Sequence, residues 1–301
     1  MTRCRLMRYW GLFALVAVCC VCHPASADTL HVGTIGQSPA HEIRDFLPLA
    51  HYLAMTLKTE GVGDVKVVVA ESLAEMAALT RAAKVDLFID SAFPSMALNQ
   101  LTGSKLLLRR WKRGIGEYRS VIFTRKDSGL RQLTDLKGKT IAFEELFSST
   151  GYFFPKLALV QAGLKLAAKR EASDPVAVGE LGYVFSNDDE NTMIWVLRGR
   201  LSAGAIDDST FVKKARTRIN ELEILYESAP IPRHFVNYRQ GLPENLIAKI
   251  KETLLSMDKS EAGKTALMKF QKTAKFDPVP DEFNDLVSRS APFLRRELGL
   301  K

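Results

Sequence analysis

Leu133-Thr-Asp-Leu-Lys-Gly-Lys-Thr-Ile-Ala-Phe-Glu-Glu-Leu-Phe-Ser-Ser-Thr-Gly-Tyr-Phe-Phe-Pro155 opens with a polar turn, Asp135 to Lys139, and runs into a strand-like segment, Thr140 to Glu144. A loop follows. Ser148, Ser149, Thr150 and Gly151 then stand directly before an apolar stretch with helical spacing. Hydroxyl side chains at a helix start satisfy backbone N–H groups that have no acceptor within the helix. Glycine there lets a ligand approach the backbone closely. Such a helix start either caps itself or offers amides and hydroxyls to an anion or another hydrogen-bonding oxygen.

Outward from this stretch the chain alternates strand and helix. Leu30 to Ile35 reads as a strand, Glu42 to Leu57 as an amphipathic helix, and Val65 to Val69 and Val85 to Ile89 as buried parallel strands. After a longer strand, Tyr118 to Arg125, the grammar repeats. A strand from Thr140 to Phe143, a helix from Gly151 to about Leu166, a strand near Gly182 to Phe185, a helix from Glu190 to Gly199 and a strand from Ala203 to Ile206 follow in order. Ala229-Pro230-Ile231-Pro232 punctuates a return, and three helices close the chain. The predicted fold class is α/β: a two-lobed clamshell, each lobe a mostly parallel sheet flanked by helices. Residues 28–120 plus 230–301 form lobe 1 and 121–229 form lobe 2. Ligands of such sheets sit at the carboxyl ends of the strands, so both lobes are expected to face one cleft.

The N-terminus reads as a cleavable export signal over residues 1–27. Arg3, Arg5 and Arg8 precede an apolar run, Tyr9 to Cys22, too short to span a bilayer, and Ala25-Ser26-Ala27 ends it. All four cysteines (Cys4, Cys19, Cys20, Cys22) lie in that segment, so the processed chain is expected to hold no disulfide. Its removal leaves 39 basic against 34 acidic residues, a mild +5 compared with +8 for the whole chain. The cluster Arg109-Arg110-Trp111-Lys112-Arg113 reads as solvated surface. Nothing resembles a nucleic-acid module. There is no Gly-x-Ser-x-Gly elbow, His-Glu-x-x-His or P-loop, so catalysis, a cofactor and a metal are not expected. Asp86 and Asp90 read as capping or hinge residues, and the histidines as surface or satisfied groups.

With these features in place, the chain resembles the PhnD-like periplasmic substrate-binding proteins of phosphate, phosphite and phosphonate ABC transporters. The resemblance covers the processed chain. It rests on Pro48-Leu49-Ala50-x-Tyr52-Leu53, Val85-Asp86, Tyr118-Arg119-Ser120-Val121-Ile122, Asp135-Leu136-Lys137-Gly138-Lys139, Ser148-Ser149-Thr150-Gly151-x-x-x-Pro155, Val196-Leu197-x-Gly199, Ala203-Gly204-Ala205 and Ile231-Pro232. It implies a periplasmic, monomeric, non-enzymatic receptor that delivers a small molecule to membrane transporter components. It also implies ligand contacts from Ser148, Ser149, Thr150, Gly151 and Tyr118.

Other positions depart from the family pattern. Asp189 stands where relatives carry a histidine, Leu73 where they carry a tyrosine, and Ser202 where they carry an aspartate, with Asp207 close behind. Asp189 and Asp207 are therefore taken as cleft candidates, although Asp188 to Glu190 also suit a helix cap. A carboxylate near a dianion is repulsive, and no arginine evidently replaces the lost donors. The rim is also rich in rings. Leu73, Phe147, Tyr152, Phe153 and Trp195 are candidates for an apolar cleft lining. These departures favour a neutral or amphipathic, lipid-like ligand, such as a sterol-like alcohol, over a phosphonate, phosphite or phosphate. A ligand-sensing partner of a membrane histidine kinase is the remaining reading.

Overall fold

A computed structural model describes residues 28–300. The expected export signal and all four cysteines lie outside the described residues. Two six-stranded mixed sheets form the frame. Across the first sheet the strands run Phe276–Asp277, Lys105–Arg110, His234–Tyr238, Leu87–Ser91, Asp28–Ile35 and Val62–Ala70. The last three are parallel, while His234–Tyr238 is antiparallel to both neighbours. Across the second sheet they run Leu222–Glu227, Ser120–Arg125, Ala203–Asp207, Thr140–Phe143, Glu180–Phe185 and Lys165–Ala168. The last four are parallel, and Ser120–Arg125 is antiparallel to Ala203–Asp207. We call each sheet with its helices a lobe.

The chain passes between the sheets twice. Glu117–Tyr118 and Ile231–Pro232 pair antiparallel where it does so. Leu87–Ser91 and Thr140–Phe143 are buried at every position, as strands covered on both faces must be. The strand Lys165–Ala168 was not expected. Lys-Leu-Ala-Ala favours helix as much as strand, so the sequence reading ran the preceding helix through it. In the structure that helix ends at Gln161, and Gly163 turns the chain at φ 82°.

The packing joins the lobes as well as filling them. Phe93, from the helix Ala92–Thr102 of the first lobe, stacks on Phe153 of the second at 4.4 Å and 9°. The C-terminal helix Glu282–Glu297 lies along the same cluster. Its Phe283 stacks on Phe235 at 4.3 Å, and its Phe293 meets Phe153 at 5.2 Å. At its end Glu297 accepts hydrogen bonds from the Tyr152 hydroxyl at 2.8 Å and the Lys156 ammonium at 2.5 Å. The carboxyl ends of Asp28–Ile35, Leu87–Ser91, Thr140–Phe143 and Ala203–Asp207 all reach the space between the sheets.

Candidate functional site

Between the lobes lies a cavity of about 380 Å³. Its lining begins where the strands end: Thr34 and Ile35, Asp90 and Ser91, Glu144, and Asp207. Tyr118 and Arg233 enter from the two crossing segments. Six carboxyl groups line it (Glu42, Asp90, Glu144, Glu145, Asp189, Asp207) together with the cations Arg110, Lys112, Arg113 and Arg233. His41 and His234 add imidazoles.

The cationic wall was missed from the sequence. Arg110 and Lys112 belong to the run read as solvated surface. Arg110 is instead fully buried, its guanidinium 3.6 Å from the centre of the Phe270 ring. It donates to Thr273 Oγ1 at 3.0 Å, Phe270 O at 3.2 Å and Gln271 Oε1 at 3.0 Å. Burial pushes its guanidinium down to about 9, leaving it charged at neutral pH. Lys112 is half-buried, and its ammonium has no ion-pair partner among the described residues. Burial, reinforced by Arg110 and Arg233, brings it down to about 8. Arg233 is buried over the Tyr118 ring at 4.7 Å, with Nη1 3.8 Å from Asp207 Oδ1.

Several nitrogens on this wall have no hydrogen-bond partner among the described residues: Arg110 Nη1, Arg233 Nε and Nη1, and His234 Nδ1. Buried donors are almost always paired, so this concentration marks where a ligand's acceptors would fit. His234, expected to be a surface or satisfied group, is held well below the usual imidazole range by burial and by Lys112 and Arg110. It is neutral at physiological pH.

The opposite wall is acidic and comes from the second lobe. Glu144 is raised well above the usual carboxylate range by burial and then by Asp189. Asp189 is also raised, by burial and then by Asp207. The Glu144 and Asp189 carboxyls thus titrate as a pair, Asp189 raising the proton affinity of Glu144. Glu145 is pushed up to about 7 by burial, with Asp189 next. This wall therefore carries less negative charge at neutral pH than its composition suggests. The cap of the helix Asp189–Leu197 is Asp188, whose Oδ1 accepts from the Glu190 and Asn191 amides at 2.6 and 3.2 Å. Asp189 is thereby left facing the cavity, while Glu190 pairs with Lys214.

The turn that decided the fold lies at the cavity, but its hydroxyls are largely used within the protein. Ser149 Oγ accepts from the Phe93 amide and donates to Ser91 Oγ, both at 2.8 Å, bridging the lobes. Ser148 Oγ caps the Gly151 amide at 2.9 Å and donates to Glu144 Oε2 at 2.7 Å. The Gly151 carbonyl accepts from the Glu144 amide at 3.0 Å, and Gly151 itself does not line the cavity. The turn is a π-turn, Ser149–Phe153, closed by the Phe153 amide on Ser148 O at 3.0 Å. Ser148, Ser149, Thr150 and Tyr118 line the cavity, and burial pushes the Tyr118 hydroxyl up. Asp207 lines it as well, with Oδ1 accepting from the Thr210 amide at 3.1 Å and from the Ser209 hydroxyl. Asp90 is held by the Ile35 and Ser91 amides at 3.2 and 2.7 Å, and Asp86 by Arg239 Nε at 2.8 Å.

The aromatic candidates divide. Phe147 lines the charged cavity. Leu73, Tyr152 and Phe147 line a separate neighbouring one. Phe153 is fully buried against Phe93, and Trp195 packs beneath Arg200 at 4.5 Å, so neither lines the charged cavity. A ring triplet must point in several directions along a helix, which spacing alone could not resolve. No group of three or more metal-ligating side chains is assembled among the described residues. No helix among them is long and apolar enough to cross a membrane.

Residues 34–282 match the family model described as ABC transporter, phosphonate, periplasmic substrate-binding protein. Among solved structures, the chain is similar to XAC2383 from Xanthomonas citri in its chloride-bound form. That likeness has a TM-score of 0.84 and 23% identity, covering 90% of this chain and 99% of the other. The ATP-bound form of the same protein gives 0.82 at 23% identity, covering 90% and 98%. PhnD1 from Prochlorococcus marinus, in complex with methylphosphonate, gives 0.65 at 19% identity, covering 90% and 98%. At these identities the likeness establishes the fold.

Proposed function

Because the chain belongs to the periplasmic substrate-binding proteins of phosphonate ABC transporters, we propose that its inter-lobe cavity captures a small oxyanion of the phosphonate, phosphite or phosphate class for delivery to a membrane permease. The observation that carries this reading is the set of unpaired buried nitrogens on Arg110, Arg233 and His234. Oxygens of a compact anion satisfy such donors and convert an uncompensated burial cost into binding. Lys112, which also lines the cavity, adds a further positive charge. The methylphosphonate held by the Prochlorococcus relative supports the same chemistry. On the acidic wall, Glu144 and Glu145, both raised by burial, suit ligand hydroxyls beyond the anionic head.

The amphipathic or sterol-like ligand favoured by the sequence departures gains no support from this cavity. Its lining is mostly polar and holds ten charged side chains, and covering them with hydrocarbon would desolvate ions without pairing them. On this reading the replacement donors come from Arg110 and Arg233, outside the motifs that carry the family resemblance. Closure of the two lobes around the solute, by bending at the crossing segments, is the motion this reading requires.

Calorimetric titration of the purified protein with methylphosphonate, phosphite and phosphate tests the reading. Micromolar or tighter binding of at least one is expected. Binding of none of the three, with cholesterol-like alcohols binding instead, would overturn it.

A further inference from the structure

Of the six carboxyl groups that line the charged cavity, three already have donors within the protein. Asp90 accepts from the Ile35 and Ser91 amides at 3.2 and 2.7 Å and from the Thr34 hydroxyl at 3.2 Å. Asp207 Oδ1 accepts from the Thr210 amide at 3.1 Å and from the Ser209 hydroxyl. Glu144 Oε2 accepts from the Ser148 hydroxyl at 2.7 Å. Asp189 differs. No N–H group or cation among the described residues donates to its carboxyl, since Asp188 takes over the helix cap. We infer that Asp189 is a specificity-determining residue that accepts the hydrogen of a P–OH group, so that the cavity prefers oxyanions still carrying a proton over permanently deprotonated ones of the same shape. The inference rests on the oxyanion reading and adds what the site distinguishes among oxyanions.

The position of Asp189 relative to the free donors carries the argument. Asp207 exerts the strongest charge effect on Asp189, and Asp207 Oδ1 is itself 3.8 Å from Arg233 Nη1. Arg233 is 6% exposed and Arg110 fully buried, yet Arg233 Nε and Nη1 and Arg110 Nη1 have no hydrogen-bond partner among the described residues. Both arginines line the same cavity as Asp189. An anion held by these nitrogens therefore meets donors on one side and an acceptor on the other. A carboxylate can only accept, so a bare oxygen turned toward it is repelled, whereas a P–OH makes a charge-assisted hydrogen bond with it. Burial and then Asp207 raise the proton affinity of Asp189, which strengthens it as an acceptor.

The test is calorimetric titration with methylphosphonate and methanesulfonate at about pH 6. The two anions then share shape and a single negative charge, and differ in the one hydrogen that methylphosphonate retains. Methylphosphonate is expected to bind at least about tenfold tighter. Asp189→Asn keeps the side-chain shape and removes the charge, and the ratio should fall toward one. Asp189→Ser loses the same carboxylate and repeats the comparison should the first variant not fold. If methanesulfonate binds the unaltered protein as tightly as methylphosphonate, the inference is overturned and the oxyanion reading stands. If the ratio survives in the variants, the discrimination comes from elsewhere and the inference is likewise overturned. If neither anion binds, both fail.

Discussion

Arg233 brings to the cavity two guanidinium nitrogens without a hydrogen-bond partner among the described residues, stacked over Tyr118 and with Nη1 3.8 Å from Asp207 Oδ1. Replacing it by Gln in Arg233→Gln removes the charge and part of the fork. A charge-assisted hydrogen bond is worth about 1.5–3 kcal/mol, so the affinity for the oxyanion should fall by at least about tenfold in calorimetry. Lys112 gives the pH dependence. It is protonated below about 8 and neutral above, and Glu145 becomes negative above about 7. Both changes disfavour an anion as pH rises. Affinity for a methylphosphinate probe, whose own charge is constant over this range, should therefore fall between pH 6 and pH 9. Lys112→Met should flatten the upper part of that profile. None of these groups was legible as a site in the sequence. Arg110 is buried by Phe270 and Thr273, roughly 160 positions downstream, and a run of Arg and Lys carries no trace of so distant a cover.

The π-turn Ser149–Phe153 was legible as a helix start beside a cleft, since small hydroxyl residues before an apolar run have few other uses. What it does with those hydroxyls was not legible, because the partners of Ser149 lie on Ser91 and Phe93 in the other lobe. The turn is in this respect a joint between lobes as well as a cavity wall. Ser149→Ala should leave the buried Phe93 amide without an acceptor and cost about 1–3 kcal/mol of stability, read as a lower denaturant midpoint. Its effect on oxyanion affinity should be smaller than that of Arg233→Gln. The buried β-branched strands were readable for a simpler reason: a run such as Leu87–Ser91, covered on both faces, leaves no polar position to blur it. The edge strand Lys165–Ala168, half exposed and helix-compatible, lacked that signal.

At the scale of the molecule, alternation of strands and helices was enough to anticipate two lobes around one cleft, because that pattern constrains connections. The charge arrangement inside the cleft was not, since it depends on which side chains the two lobes bring face to face. The first lobe and the crossing segments supply the cations, and the second lobe supplies four of the six carboxyls, several of them raised by burial. The most direct test of this arrangement is a crystal structure of the protein with methylphosphonate. The account predicts phosphonate oxygens within hydrogen-bond distance of Arg110 Nη1 and of Arg233 Nε or Nη1. A phosphonate bound elsewhere, with those three nitrogens still without a hydrogen-bond partner, would contradict it.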